Sequence, residues 1–339
     1  MRRMRFAVLA TLVFALSAAA QAPPPPVNCL NEPRNLAYND FYNAKKATDA
    51  AGQQRAYELA KAFIENWTMC SDQYTDAAKR FVVLYEDATE RFALSQSAFG
   101  AKPDHVKAFE IGRKILTTNP EDLPALMALA YAGNSEATAK NEEFAAEALT
   151  DAKKAIALIE SGKGPVAWSP FKSREDALSF LTLYAANLSL VAKDPAGAIP
   201  LYIKVGTIAG PAGHDPSSYI RLAAAYLQSQ LEPMQLEYNE KFGGKPESAE
   251  GKWQIAQMDQ VIDRVLDAYA RAISLAGDNA RYAQAKPAWM DALKNYYKFR
   301  FGDSMKGFDD YLANATARPL PEPYVPKPYT PEPAAPKRR

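Results

Sequence analysis

Side chains able to carry chemistry are few in this sequence and do not cluster. His105 and His214 are the only histidines, each standing close behind a loop Pro103 or Gly213, and no His-Glu-x-x-His occurs. A zinc or other metal site needs several such ligands at fixed spacing, so no metal ligand is assigned. The chain has no Gly-x-Ser-x-Gly elbow to expose a serine nucleophile. The pairs Gly162-Lys163, Gly244-Lys245 and Gly251-Lys252 lack both the Gly five positions earlier and the Ser or Thr that follows in a phosphate-binding loop. Adjacent carboxylates, Glu142-Glu143 and Asp309-Asp310, point about 100° apart on a helix and read as solvated faces, not as a glycosidase pair. A carboxylate pair assembled from distant parts of the chain stays open. No catalytic residue and no cofactor is therefore predicted.

The residues that remain suit contact with a partner. Eighteen tyrosines are present, and Tyr296-Tyr297 with Lys298 and Arg300 forms a cationic aromatic patch near the C-terminal end. Such groups stack on a ligand or hold it by cation–π attraction, but they serve equally as packing between helices. Asn187, with Tyr184 on the same helix, and Tyr324 and Tyr329 in the C-terminal tail complete the candidate contact residues.

The elements that position these groups are read best from Ser217 to Gln228. Tyr219, Leu222, Ala223 and Tyr226 recur along one helical stripe in which bulky residues alternate with alanine. Alanine at a contact position lets a neighbouring helix come close, and the large residues fill the flanks. The rest of the chain is helical text broken by Gly, Pro and Asn-Pro, with no run of alternating β-branched residues. Leu36–Ala50 and Gln53–Trp67 are expected to pair. A long helix follows from Tyr74 to Ala98, with Phe81, Leu84, Tyr85, Ala88 and Phe92 predicted on its buried stripe. Helices are expected next over Pro103–Thr118 and Leu123–Gly133. An insertion from Leu231 to Lys252, interrupted by Pro233, Gly243-Gly244 and Pro246, reads as a polar loop or a customised binding element.

Ala108, Ile111, Gly112 and Ile115, followed by Asn119-Pro120 and a new amphipathic helix carrying Leu126, Leu129 and Ala130, resemble the second half of a tetratricopeptide repeat. Ala148, Ala152 and Ala155, then Ala198, Tyr202 and Val205 after Asp194-Pro195, repeat that pattern, and Tyr219 to Tyr226 matches a first helix. Equivalent anchors near Ala56, Ala108, Ala148, Ala198, Val265 and Gly307 lie 40 to 67 positions apart, against about 34 in the standard repeat. The resemblance implies an all-α fold, a right-handed solenoid of antiparallel helix hairpins with lengthened repeats, spanning residues 35–316.

The two ends differ in composition. Arg2, Arg3 and Arg5 precede an apolar run from Phe6 to Leu16 and the small residues Ser17 to Ala20, the pattern of a secretory signal peptide over residues 1–20. Its loss takes the 40 basic residues to 37 against 39 acidic ones. A near-neutral chain with interleaved signs has no electrostatic footprint for nucleic acid. No later apolar stretch reaches membrane-spanning length. The mature chain is thus expected to be exported, periplasmic or secreted, with a proline-rich spacer over residues 21–34. Export also makes a Cys29–Cys70 disulfide an option. Residues 317–339 hold three pentapeptide units, Pro321-Glu-Pro-Tyr-Val, Pro326-Lys-Pro-Tyr-Thr and Pro331-Glu-Pro-Ala-Ala. Alternate-residue proline excludes helix, so the tail reads as a disordered, stiff polyproline II rod.

These features lead to a non-catalytic scaffold for a protein or peptide partner, with the tail as tether or second contact. A glycan- or peptide-acting envelope enzyme on an all-helical fold, and a structural envelope protein held by its tail, are the rival expectations.

Overall fold

Most helix starts in this chain are marked by an oxygen-bearing side chain, several with proline just behind it. In the computed structural model, which describes residues 29–331, Asp122, Asp194 and Asp215 each accept a hydrogen bond from a backbone N–H two or three positions on. Each is followed by proline in the first helical turn, where its missing N–H has no intrahelical partner to lose. All regular structure among the described residues is helical. No helix among them is long and apolar enough to cross a membrane. The expected signal peptide, Met1–Ala20, lies outside the described residues, as do 21–28 of the spacer and 332–339 of the tail.

The chain divides into two compact units, Met1–Ala88 and Thr89–Arg339. In the first, α1 (Glu32–Ala44) and α2 (Ala50–Asn66) pack together, and α3 (Gln73–Phe99) contributes its first half. Phe41, Ala60, Phe63 and Ala78 form the core. The spacer was expected to reach residue 34, but Asn31 caps α1 and the helix begins at Glu32, with proline tolerated in its first turn. Arg34 is buried there. Its guanidinium donates to Cys29 O at 2.9 Å, to both Asp72 oxygens at 2.7 and 2.8 Å and to Thr75 at 3.1 Å, and lies 5.1 Å from the Phe63 ring centre. Cys29 and Cys70 are joined in a disulfide across the same corner, with 5.8 Å between their Cα atoms.

The stripe predicted to be buried on α3 is only partly so. Phe81 and Tyr85 are half-buried, with Phe81 packed on Phe41, whereas Leu84 and Phe92 are exposed. Apolar periodicity marks a face that can be covered but does not supply the partner that covers it.

In the second unit, α4 (His105–Thr118), α5 (Leu123–Thr138), α6 (Ala145–Glu160), α7 (Arg174–Val191), α8 (Pro195–Thr207) and α9 (Pro216–Tyr226) each pack on the next. In addition α7 touches both α5 and α9. Then come α10 (Glu232–Phe242), α11 (Ala249–Ala276), which packs on α9, and α12 (Lys286–Arg300) and α13 (Phe308–Ala313), which pack on α11. The segment read as a polar insertion is largely helix. A π-turn at Leu227–Leu231 runs into α10, Pro233 falls harmlessly in the first turn of α10, and only a short stretch around Gly243-Gly244 is loop. The physical reason is burial of Leu231 and of the first turns of α11 against this helix.

Close approach between helices rests on small residues. At Gly133 on α5, a Cβ would come within 2.2 Å of the Ala148 Cβ on α6, so the two backbones meet with nothing larger than a methyl group between them. Gly133→Ala is therefore expected to destabilise the protein by about 1–3 kcal/mol, although helix propensity alone favours alanine by about 1 kcal/mol. Urea denaturation of the two proteins gives the sign directly, and a gain in stability would rule out this contact.

Asp151, on α6, is buried, and its Oδ2 has no hydrogen-bond partner among the described residues. Burial, with the Glu147 carboxylate nearby, raises its pKa to about 6. The folded state thus holds the proton more tightly than the unfolded chain, so stability falls as pH rises from about 4 to 6 and stays reduced above. The shift corresponds to about 2–3 kcal/mol at neutral pH. Asp151→Asn should raise the melting temperature at pH 7.5 and lose that advantage by pH 4, as read by calorimetry across the range.

Candidate functional site

Three helices place one polar side chain each along a shallow groove: Asn134 from α5, Asn187 from α7 and Arg221 from α9. Asn187 joins them. Its amide donates to Asn134 Oδ1 at 3.0 Å, and its own Oδ1 accepts from Arg221 at 2.7 Å and from the Tyr202 hydroxyl of α8 at 2.8 Å. Ala137, Thr138, Leu190 and Val191 complete a recess of about 160 Å³. Arg221 is half-buried, and among the described residues no carboxylate is paired with it. A guanidinium has five N–H donors, of which the bond to Asn187 uses one. Burial raises the pKa of Tyr202, and the neighbouring guanidinium opposes the rise; the phenol stays protonated and donates to Asn187.

The groove therefore offers an anionic group on an extended chain a half-buried guanidinium, with no carboxylate paired with it among the described residues, between apolar walls. No histidine, cysteine or carboxylate is among the residues that line it.

The other residues singled out from the sequence fall in different places. Tyr184, adjacent to Asn187 on α7, is 8% exposed and packs its ring against Tyr131 and Phe180; it is core and not contact surface. Tyr297 is likewise buried. Its hydroxyl donates to Lys306 O at 2.8 Å and its ring meets Phe301, Phe308 and Tyr311, so the cationic aromatic patch does not form as expected. Adjacent residues on a helix face different ways: Tyr296 is half-buried against Tyr269, and Lys298 is exposed. Arg300 is engaged, donating to Asp263 at 2.8 Å with Asp259 at 3.6 Å. Among the described residues, no group of three or more His, Cys, Asp or Glu is placed to hold a metal ion.

The tail departs most from expectation. Residues 318–329 were read as part of a free, disordered rod, but this segment is held on α11 through the contacts that follow. Arg271 donates to the carbonyls of Arg318 at 2.7 Å and Pro319 at 2.9 Å, while its Nε donates to Asp267 at 2.5 Å. Arg264 donates to Glu322 O at 2.8 Å. Tyr324 is 5% exposed, and its hydroxyl donates to Gln257 at 2.9 Å. Tyr329 sets its ring 5.7 Å from that of Trp253. Leu320 lies against Gly206 of α8, where a Cβ would come within 2.9 Å of it. The physical cause is that proline removes donors from the tail but leaves every carbonyl able to accept. Arg264, Arg271, Asp267 and Asn134 were not picked out from the sequence, where isolated charges and amides on helices read as solvated.

No family model matches the chain, and no curated protein or solved structure matches it.

Asn187, on α7, is bonded to three other helices, α5, α8 and α9. Asn187→Ala leaves the buried Tyr202 hydroxyl without its acceptor and should cost about 1–3 kcal/mol, measured by urea denaturation, with the pH dependence otherwise unchanged.

Proposed function

We propose that the protein is an exported, non-catalytic scaffold whose stacked helix hairpins form a tetratricopeptide-like solenoid, and that its groove over α5, α7 and α9 holds an extended peptide by a carboxylate. One observation carries this reading: Asn134, Asn187 and Arg221, from α5, α7 and α9, are linked in a single row, and among the described residues no carboxylate is paired with the guanidinium at its end. A carboxylate bound there gains charge-assisted hydrogen bonds in a half-buried site, where they are stronger than in water. The packing of α7 on both α5 and α9 supports the array, since first helices of successive hairpins line one face of such a stack.

The arginine-led leader at the N-terminus and the pairing of Cys29 with Cys70 support an oxidising, extracytoplasmic setting. Apolar walls and amides without a facing acid favour holding a ligand over transforming it.

A library of extended peptides with free or amidated C-termini, presented to the chain from Gln21 onward, tests the reading. Free-carboxylate peptides should be selected, with amidation weakening them about tenfold or more, equivalent to about 1.4 kcal/mol. Arg221→Ala should abolish that preference while leaving the helical circular dichroism intact. Selected peptides that bind wild type and Arg221→Ala equally would sink the proposal.

A further inference from the structure

The contacts that hold the tail follow a rule that is independent of the α5–α7–α9 groove. Gln257, Arg264 and Arg271 are spaced seven positions apart on α11, which keeps them on one face, two turns from one to the next. Each engages the tail: Arg271 takes the carbonyls of residues 318 and 319, Arg264 that of residue 322, and Gln257 the hydroxyl of Tyr324. Seven helical residues advance about 10.5 Å, and three residues of polyproline II advance about 9.3 Å. The two repeats are nearly commensurate, so the two arginines meet carbonyls one polyproline turn apart, at 319 and 322, while Gln257 accepts from the Tyr324 hydroxyl two residues further on. The tail runs antiparallel to α11, from Arg271 to Trp253, in the span from Arg318 to Tyr329. That is about 27 Å of helix, or about 2.5 Å for each of eleven residue steps, more than the 1.5 Å rise of a helix could cover.

What is read is backbone and one ring. Glu322 and Lys327, the variable residues between the prolines, are exposed. Tyr324 is enclosed, with the Arg264 guanidinium 5.7 Å from its ring centre. The tail carries the same Pro-x-Pro-Tyr sequence twice, at 321–324 and 326–329. Its second tyrosine is half-buried against Trp253, beside an open recess of about 350 Å³ to which Ser229, Pro233, Met234 and Gln254 contribute.

We propose that α11 is a recognition site for extended Pro-x-Pro-Tyr segments, with Arg271 and Arg264 reading carbonyls and Gln257 reading the tyrosine hydroxyl, and that residues 318–330 are its resident ligand held in cis. Another segment of the same pattern competes for the site when the resident copy lifts away.

Two measurements on the full chain test this. Chymotrypsin cleavage after Tyr324 reports whether the tail leaves while the helices remain folded. In Arg264→Ala it should rise about tenfold, as expected for loss of one charge-assisted hydrogen bond, with the thermal unfolding transition unmoved. In parallel, a fluorescent peptide of sequence 318–330 should bind the full-length Tyr324→Ala chain at least tenfold more tightly than the wild-type chain, whose site is occupied. Adding Arg264→Ala to that chain should reverse the gain. The proposal is overturned if cleavage after Tyr324 occurs only with global unfolding, or if the peptide binds Tyr324→Ala and wild type alike.

Discussion

How close two helices can come is set by the smallest side chains between them, and in the second unit those are repeatedly alanine and glycine. Ala125, Ala128, Ala132 and Gly133 on α5, with Ala145, Ala148, Ala152 and Ala155 on α6, are all essentially without solvent contact. Backbones brought together this way bury the larger Leu126, Leu129, Ile156 and Ile159 beside them. The polar row across α5, α7 and α9 depends on that spacing. Asn187 reaches Asn134 and Arg221 at hydrogen-bond distance only because its helix is held close to both neighbours.

That part of the fold could be read in advance. Alanine at helical spacing, with Asp-Pro and Asn-Pro breaks between, announces nested helices whatever their detailed order. The end of α4 at Thr118 and the start of α8 at Pro195 fall where those signals put them. Asn187 also stood out, but its partners did not. Asn134 lies on another helix far away in the chain, and no local pattern links an amide to a guanidinium over such a distance.

Other readings failed for reasons that are equally physical. Leu84 and Phe92 belong to an apolar stripe and are exposed, while Tyr297 belongs to a charged neighbourhood and is buried. Periodicity describes one helix, whereas burial is decided by two. The tail misled in the same way. Its prolines rule out helix, and a chain that cannot be helical was taken for one that has no place. The signal was present on the partner, as a seven-residue recurrence of Gln257, Arg264 and Arg271, but on a helix with other surface charges it looked like solvated polarity. The i, i+4 pairing of Asp267 with Arg271, both buried, fixes the guanidinium that receives the first tail carbonyls.

Residues 318–324 follow, along the chain, every helix that they cover. Until that segment docks, the inner donors of Arg271 lack their carbonyls and the ring of Tyr324 has no enclosure. All the helices can thus be in place while this face of α11 is still open, and covering it pairs residues 47 to 67 positions apart. Contacts of such long separation form late, because the entropy of closing the loop has to be met before the contact rewards it.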